Sequence, residues 1–292
     1  MLHSHDRFPY SPITKRPEFS WPEGRRLAVH VSLNLEHFAY GEGLGVSYSP
    51  GLPHPNTYNW AWREYGNRVG VWRLLELFDE FKLPVSLLLN SEVYDHCPEV
   101  VAAFRARGDE VIGHGRTNSE HQNDFDEAGE KKLIDDVTAA IERHEGKKPA
   151  GWLSPGVNPS NVTPDLLQEA GYRYILDWPM DDQPVWMRTR KGRILSLPYP
   201  QEVNDIPMIV LHHGTAEAFA DMIIANYNEM RRQSRKQSLV YGIALHAFIM
   251  GQPFRLEALR RAFEHMREAD DGAWFTTTGA IADHFMAAVP QG

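Results

Sequence analysis

Glu36 closes the apolar run LAVHVSLNLEHF, His114 closes VIGHG, and His246 closes IALHAFIMG. A carboxylate and imidazoles delivered at the ends of apolar runs are the groups that acid–base hydrolysis uses. One takes a proton from water and another gives one to a leaving atom. Four residues past His114, where a second histidine would complete a metal-binding pair, the chain has Asn118, and His121 follows three residues later. Other strand-end positions hold Asn34, Asn90 and Glu92, then Trp152, Ser154 and Pro155. Further on stand Asp177, Trp178, Asp181 and Asp182, and the pair His212–His213.

Each of these has a structural alternative. Glu36 is equally readable as a loop carboxylate, and His246 as a core imidazole bonded to a backbone carbonyl. Apolar neighbours on both sides of His246 would also desolvate it and tune its proton affinity. Asp181 and Asp182 read as caps as well as site residues. At most one of His212 and His213 points inward if they end a strand.

The elements that would position these groups alternate. Leu27, Val29, Val31 and Leu33 mark a first buried strand. NRVGVWRLLELFDEFK has helical spacing, LPVSLLLN reads as a strand, and CPEVVAAFRARG as a helix stopped by Gly108. DEVIGHG is a strand, 126–145 an amphipathic helix, PAGWLSPG a strand ending in a turn, and TPDLLQEAG a helix with Thr163 as its N-cap. YRYILDW, GRILSLPY, IPMIVLHHG, LVYGIALHAFIMG and GAWFTTTG read as strands, with helices at 215–232 and in RLEALRRAFEHMRE. Residues 39–60, rich in glycine, proline and tyrosine, read as a long loop, which in a compact domain is usually functional. About eight strand–helix repeats predict an α/β fold, a distorted (β/α) barrel whose chemistry gathers on the rim where strands end. The pattern predicts a single domain over 25–292, preceded by a proline- and aromatic-rich arm over 1–24. The arm has no periodicity, so it is expected to pack on the body or across a subunit boundary in a homodimer or homotetramer.

Composition narrows the class. The 292 residues are 42% hydrophobic and 24% charged, with a formal net charge of −9. That balance argues against nucleic acid or an anionic membrane as the main partner. The N-terminus lacks the apolar stretch of a secretory signal, and the one cysteine, Cys97, forms no intrachain disulfide. A cytoplasmic location is expected.

Taken together, REYGNRVGVWRLLELF, VIGHG with Gln122 eight residues past its histidine, KKPAGWLSPG, DWPMDDQPVW and LHAFIMGQPFRLEALRR resemble the polysaccharide deacetylase (NodB-homology, carbohydrate esterase 4-like) superfamily. Within it they are most similar to the branch of metal-independent allantoinases and cytoplasmic peptidoglycan-deacetylase-like proteins. The resemblance implies a distorted (β/α) barrel that hydrolyses a carbon–nitrogen amide bond. In metal-dependent members an aspartate pair and a His-x-x-x-His motif supply a base and metal ligands. Here the matching positions are Asn34, Glu36, His114 and Asn118, and the arginine of a third motif is replaced by Leu153. His246 matches the late histidine motif.

The sequence therefore predicts a hydrolase of a small amide or cyclic amide, with Glu36, His114 and His246 as its catalytic residues. Glu36 would be base or water-orienting carboxylate, His114 would position water or carbonyl, and His246 would protonate the departing nitrogen. Asn34, Trp152, Asp177, Trp178 and Asp182 would bind substrate, with Trp186 as a further flat wall. The expected cofactor is none. If zinc or another divalent metal is bound, its ligands would be Glu36, His114 and His121. The alternatives are a metal-dependent deacetylase of an N-acetylated sugar and a degenerate binding protein that keeps the pocket without the chemistry.

Overall fold

The structure is a computed structural model that describes residues 5–43, 45–47, 51–53, 55–269 and 272–290. All nine residues of the first strand, β1 (Leu27–Leu35), are buried. A strand buried on both faces belongs at the centre of a covered parallel sheet. It pairs in parallel with β2 (Val85–Leu89) on one side and β8 (Leu239–His246) on the other. Outward from β2 the sheet continues through β3 (Glu110–Gly113), β4 (Gly151–Trp152), β5 (Tyr174–Ile175) and β7 (Gly192–Ser196). At its edge β6 (Val185–Thr189) pairs antiparallel with β7, and β9 (Trp274–Phe275) adds to β1 at Ala28 and Val29. The result is a mixed, curled sheet, the distorted (β/α) barrel that the alternation of strands and helices predicts.

The side-chain period of two sorts β1 between faces. Leu27, Val29, Val31, Leu33 and Leu35 join the core beneath the helices, while Ala28 joins a second core of Leu88, Ile112, Tyr174, Leu195 and Ala244. Asn34 shares parity with Ala28, and Glu36, just past the strand, continues it toward the barrel interior. The helix Thr278–Ala288 and Trp21 contribute to this inner core as well. Between β7 and β8 the barrel is closed by irregular chain rather than by a strand. Val240 donates to the Asp182 carbonyl and Ala244 to that of Val203, and Asn204 bridges Ala244.

Three parts differ from expectation. IPMIVLHHG is not a strand: Ile206–Leu211 forms a π-helical turn, started by Pro207 and by the Asn204 side chain accepting from Ile206 N at 3.1 Å. Within the expected loop the helix Thr57–Tyr65 begins, capped by Asn56, whose side chain accepts from Asn59 N. Thr163 opens its helix without capping it, because its hydroxyl bonds the buried Glu130 carboxylate instead. The described part of the arm lies on this chain's own body. Arg7 pairs with Asp165 at 2.8 Å and Arg16 with Asp181 at 2.5 Å, and Trp21 donates to the Leu239 carbonyl at 2.9 Å. Among the described residues no helix is long and apolar enough to cross a membrane.

The chain after His246 is held by close backbone packing. A π-turn at Gly66–Gly70 lies against the short helix Ala247–Met250, and Gly66, Gly70 and Gly251 leave room for the contact. A Cβ on Gly66 would sit 2.6 Å from the Phe248 nitrogen. Because the obstacle is backbone, Gly66→Ala is expected to cost about 1–3 kcal/mol, as overpacking does. A denaturant midpoint unchanged in this variant would show that the contact is looser than described.

Candidate active site

Parallel pairing sets Asn34 directly opposite His246 across β1 and β8. Glu36 and His246 are therefore neighbours on adjacent strands. His114 arrives from β3, where Gly113 pairs with Trp152. These side chains line one cavity of about 450 Å³ at the C-terminal rim, together with Phe38, Arg63, Asn118, His121, Leu153, Asp177, Tyr199 and Phe248.

Glu36 is the hub. Its Oε1 accepts from Asn118 Nδ2 at 2.5 Å and lies 3.5 Å from His246 Nε2 and 3.7 Å from His114 Nε2. Burial would raise its pKa, but the His246 charge and the contacts with the two imidazoles outweigh this and hold it at about 2. His246 has a second carboxylate behind it. Asp205 Oδ1 is 2.6 Å from His246 Nδ1, and Asp205 Oδ2 accepts from the His246 backbone N–H at 2.7 Å. Burial would lower the His246 pKa, yet Asp205 and Glu36 together push it up to about 10. At neutral pH the site holds a carboxylate facing an imidazolium.

His114 Nδ1 is 2.7 Å from the Leu153 carbonyl, which can only accept, so Nδ1 carries the hydrogen. Its Nε2 is buried and makes no hydrogen bond within the protein, and the same holds for Glu36 Oε2. In the neutral ring Nε2 is an acceptor, so a partner for both atoms must donate twice or be a cation. A water molecule donates two hydrogens.

A metal ion would be the other partner, and the donor set does not suit one. Transition-metal sites of this chemistry use three protein ligands and one open position. The third position is Asn118, and its orientation is fixed. The His37 backbone N–H donates to Asn90 Oδ1 at 2.9 Å, which turns Asn90 Nδ2 toward Asn118 Oδ1 at 3.0 Å. Asn118 is left with its NH₂ group on Glu36, and an NH₂ donates rather than ligates. His121 does not complete a ligand set either. It is half-buried on the cavity wall, 3.7 Å from Asp124, and forms no three-ligand group with Glu36 and His114. An imidazolium 3.5 Å from Glu36 further opposes a dication there.

Of the residues predicted to bind substrate, Asn34 and Asp177 line the cavity. Asn34 donates to Tyr199 Oη and to the Leu245 carbonyl, both at 3.2 Å. Burial pushes the Asp177 carboxyl up to about 7 against two hydrogen bonds from Ser154. Trp152 does not line it. This side chain is fully buried in the core, donating to Gln122 at 3.0 Å, and Gln122 in turn donates to Glu130 at 2.8 Å. Its neighbour Leu153 faces the cavity instead. Trp178 is covered by the arm, edge-on to His5 and Phe8. Asp182 is exposed on another surface and Asp181 is held by Arg16. Trp186 is bonded to the Val289 carbonyl, and His212 and His213 are exposed.

Two contributors went unread in the sequence. Asp205 lies immediately before what reads as a strand, IPMIVLHHG. Arg63, from the helix Thr57–Tyr65, is buried over the rings of Phe38 and Phe248 at 4.6 and 5.0 Å, where the Glu36 charge reaches it. Signals existed for both: N-D-x-P is a helix-start pattern, and an arginine amid the aromatics of NWAWREY, just past the expected loop, invites a cation–π site.

Comparison with known proteins bears on this arrangement. Residues 62–175 match the family model of the polysaccharide deacetylases. A Schizosaccharomyces pombe protein assigned by name to those deacetylases is 25% identical over 96% of this chain and 95% of its own. The solved Puue allantoinase superposes with a TM-score of 0.87 at 26% identity, covering 98% of this chain and 99% of that one. A Pseudomonas aeruginosa PAO1 structure, also named for polysaccharide deacetylases, gives 0.83 at 26% identity over 95% and 96%.

Proposed function

This chain belongs to the polysaccharide deacetylase (NodB-homology) superfamily and is a hydrolase of carbon–nitrogen bonds other than peptide bonds; from that premise we propose that it opens or cleaves a small amide or cyclic amide, as an allantoinase does, without a metal in the cavity. The observation that carries this reading is the Glu36–His246–Asp205 array, with Asn118 holding its NH₂ on Glu36 where a ligand would be required.

The reaction follows from the groups present. A water donating to Glu36 and to His114 Nε2 has its lone pair directed away from both, toward a bound carbonyl carbon. Glu36 takes a proton from it as the C–O bond forms. His246 then gives its Nε2 proton to the departing nitrogen as the C–N bond breaks, so no unprotonated amide anion has to leave. Asp205 holds the ring in place and favours its charged form. Afterwards Glu36 carries the extra proton and His246 lacks one, and the 3.5 Å between Oε1 and Nε2 is a short path for its return. Phe38 and Phe248 give the cavity apolar walls, while Asn34 and Asp177 offer polar contacts to an amide-rich ring.

The volume of about 450 Å³ and the walls of Phe38 and Phe248 favour a compact substrate over a polymer chain. A panel of ureides, cyclic amides and N-acetylated sugars, assayed with purified protein, tests this. Turnover confined to the cyclic amides and ureides is the expected outcome, and release of acetate from the sugars alone would replace this reading with the deacetylase one.

A further inference from the structure

A second convergence of ligand-type side chains lies on the outside of the same rim, one residue beyond Glu36. His37 follows β1 and does not line the cavity. It meets Glu64, from the helix Thr57–Tyr65, and His96, the last residue of the helix Val93–His96. One nitrogen of each histidine and one Glu64 oxygen all lie within 4.8 Å of one another, the one group of this kind among the described residues. His96 Nε2 is 2.9 and 3.1 Å from the two Glu64 oxygens, and the rings of His37 and His96 are 4.4 Å apart. His37 Nδ1 is buried and makes no hydrogen bond within the protein.

We propose that His37, Glu64 and His96 form a binding site for a divalent transition metal of the zinc class, distinct from the catalytic cavity. Two imidazoles and one carboxylate, with a remaining position for water, are a donor set that zinc accepts. The three side chains come from three separate segments, so the metal would tie together parts of the rim that are far apart in sequence. His96 keeps about a third of its side chain exposed (33%), which gives an ion a route in. The site also reaches the chemistry through the backbone. The His37 N–H holds Asn90 and its carbonyl accepts from Asn118 N at 2.9 Å, so an ion fixing His37 would steady the residues that orient Glu36.

The test is a calorimetric titration of chelator-treated full-length protein with ZnCl₂, paired with thermal melts, and a parallel titration with CoCl₂ followed by visible absorption. Wild-type protein is expected to bind one ion and to melt at higher temperature when loaded, since a ligand bound to the native state stabilises it. His96→Ala is expected to weaken binding by more than about 100-fold, beyond what losing a mere supporting hydrogen bond does, and to lose the shift in melting. Glu64→Gln should weaken it in the same direction. His114→Ala, which alters the cavity alone, should bind as wild type does. Absence of saturable binding in wild type, wild-type affinity in His96→Ala, or loss of binding in His114→Ala would each overturn the proposal.

Discussion

Glu36→Gln and His246→Ala are each expected to lower kcat by roughly 10²–10⁴-fold, the usual worth of a well-placed general base or acid. Amide hydrolysis needs both services, because water is a weak nucleophile and an amide nitrogen is a poor leaving group. Glu36 is ionised at any working pH, with its pKa held at about 2, so it is ready to accept a proton. Glutamine keeps the shape and the Asn118 contact but cannot take the proton. His246→Ala removes the donor and leaves Asp205 buried without its imidazole partner. That variant must therefore be checked by circular dichroism before its rate is interpreted. The double variant is expected to lose much less than the product of the two single losses, since both residues serve one proton-transfer path. Near-full activity in both single variants, on a substrate the wild type turns over, would move the active site elsewhere.

The second large effect is expected at Asp205, which does not line the cavity and bears on it through its bonds to His246. Its carboxylate is the leading group that raises the His246 pKa against the lowering effect of burial. In the wild type the imidazolium is present at low and neutral pH and is lost as pH rises through about 10, so kcat/KM should fall along an alkaline limb there. Asp205→Asn removes a negative charge, and the raised pKa must drop. The limb is then expected to move to lower pH, and kcat/KM at neutral pH to fall on the order of 10²-fold. A role that was only structural would reduce activity evenly at every pH. A profile of unchanged shape in the Asn variant would therefore remove Asp205 from the mechanism.

How far the site could be read beforehand depended on how local its determinants are. Strand ends are marked by apolar runs meeting polar residues, and that local signal is enough to place Glu36, His114 and His246 at the rim, where they line one cavity. Parity along β1 then explains why Glu36 and Asn34 point inward together. The same parity defeated the reading of Trp152. A two-residue strand gives no alternation to count, and the register Gly113–Trp152 sends the indole into the core and Leu153 into the cavity. Trp178 and Asp182 failed for a longer-range reason. After β5 the chain leaves for the β6–β7 hairpin, and the Trp178 ring is covered by His5 and Phe8 from the far end of the sequence. Asp205 was hidden because Ile206–Leu211 has the composition of a strand. Only the Asn204 and Pro207 pair marks it as a helical start, and that turn is what carries the carboxylate to His246. The arm illustrates the same limit, since its ion pairs span 158 and 165 residues.

The most direct check on metal-free acid–base hydrolysis is the turnover of chelator-treated protein, with bound metal measured by elemental analysis in the same sample. The measurement should be made on wild type and on His96→Ala, so that any ion outside the cavity is accounted for. With the metal removed from both, Glu36, His114 and His246 are still in place, and kcat on whichever substrate the wild type turns over is expected to equal that of the untreated protein. Activity that disappears with the metal and returns on adding zinc to His96→Ala would contradict the account, because the ion would then be working in the cavity beside Glu36.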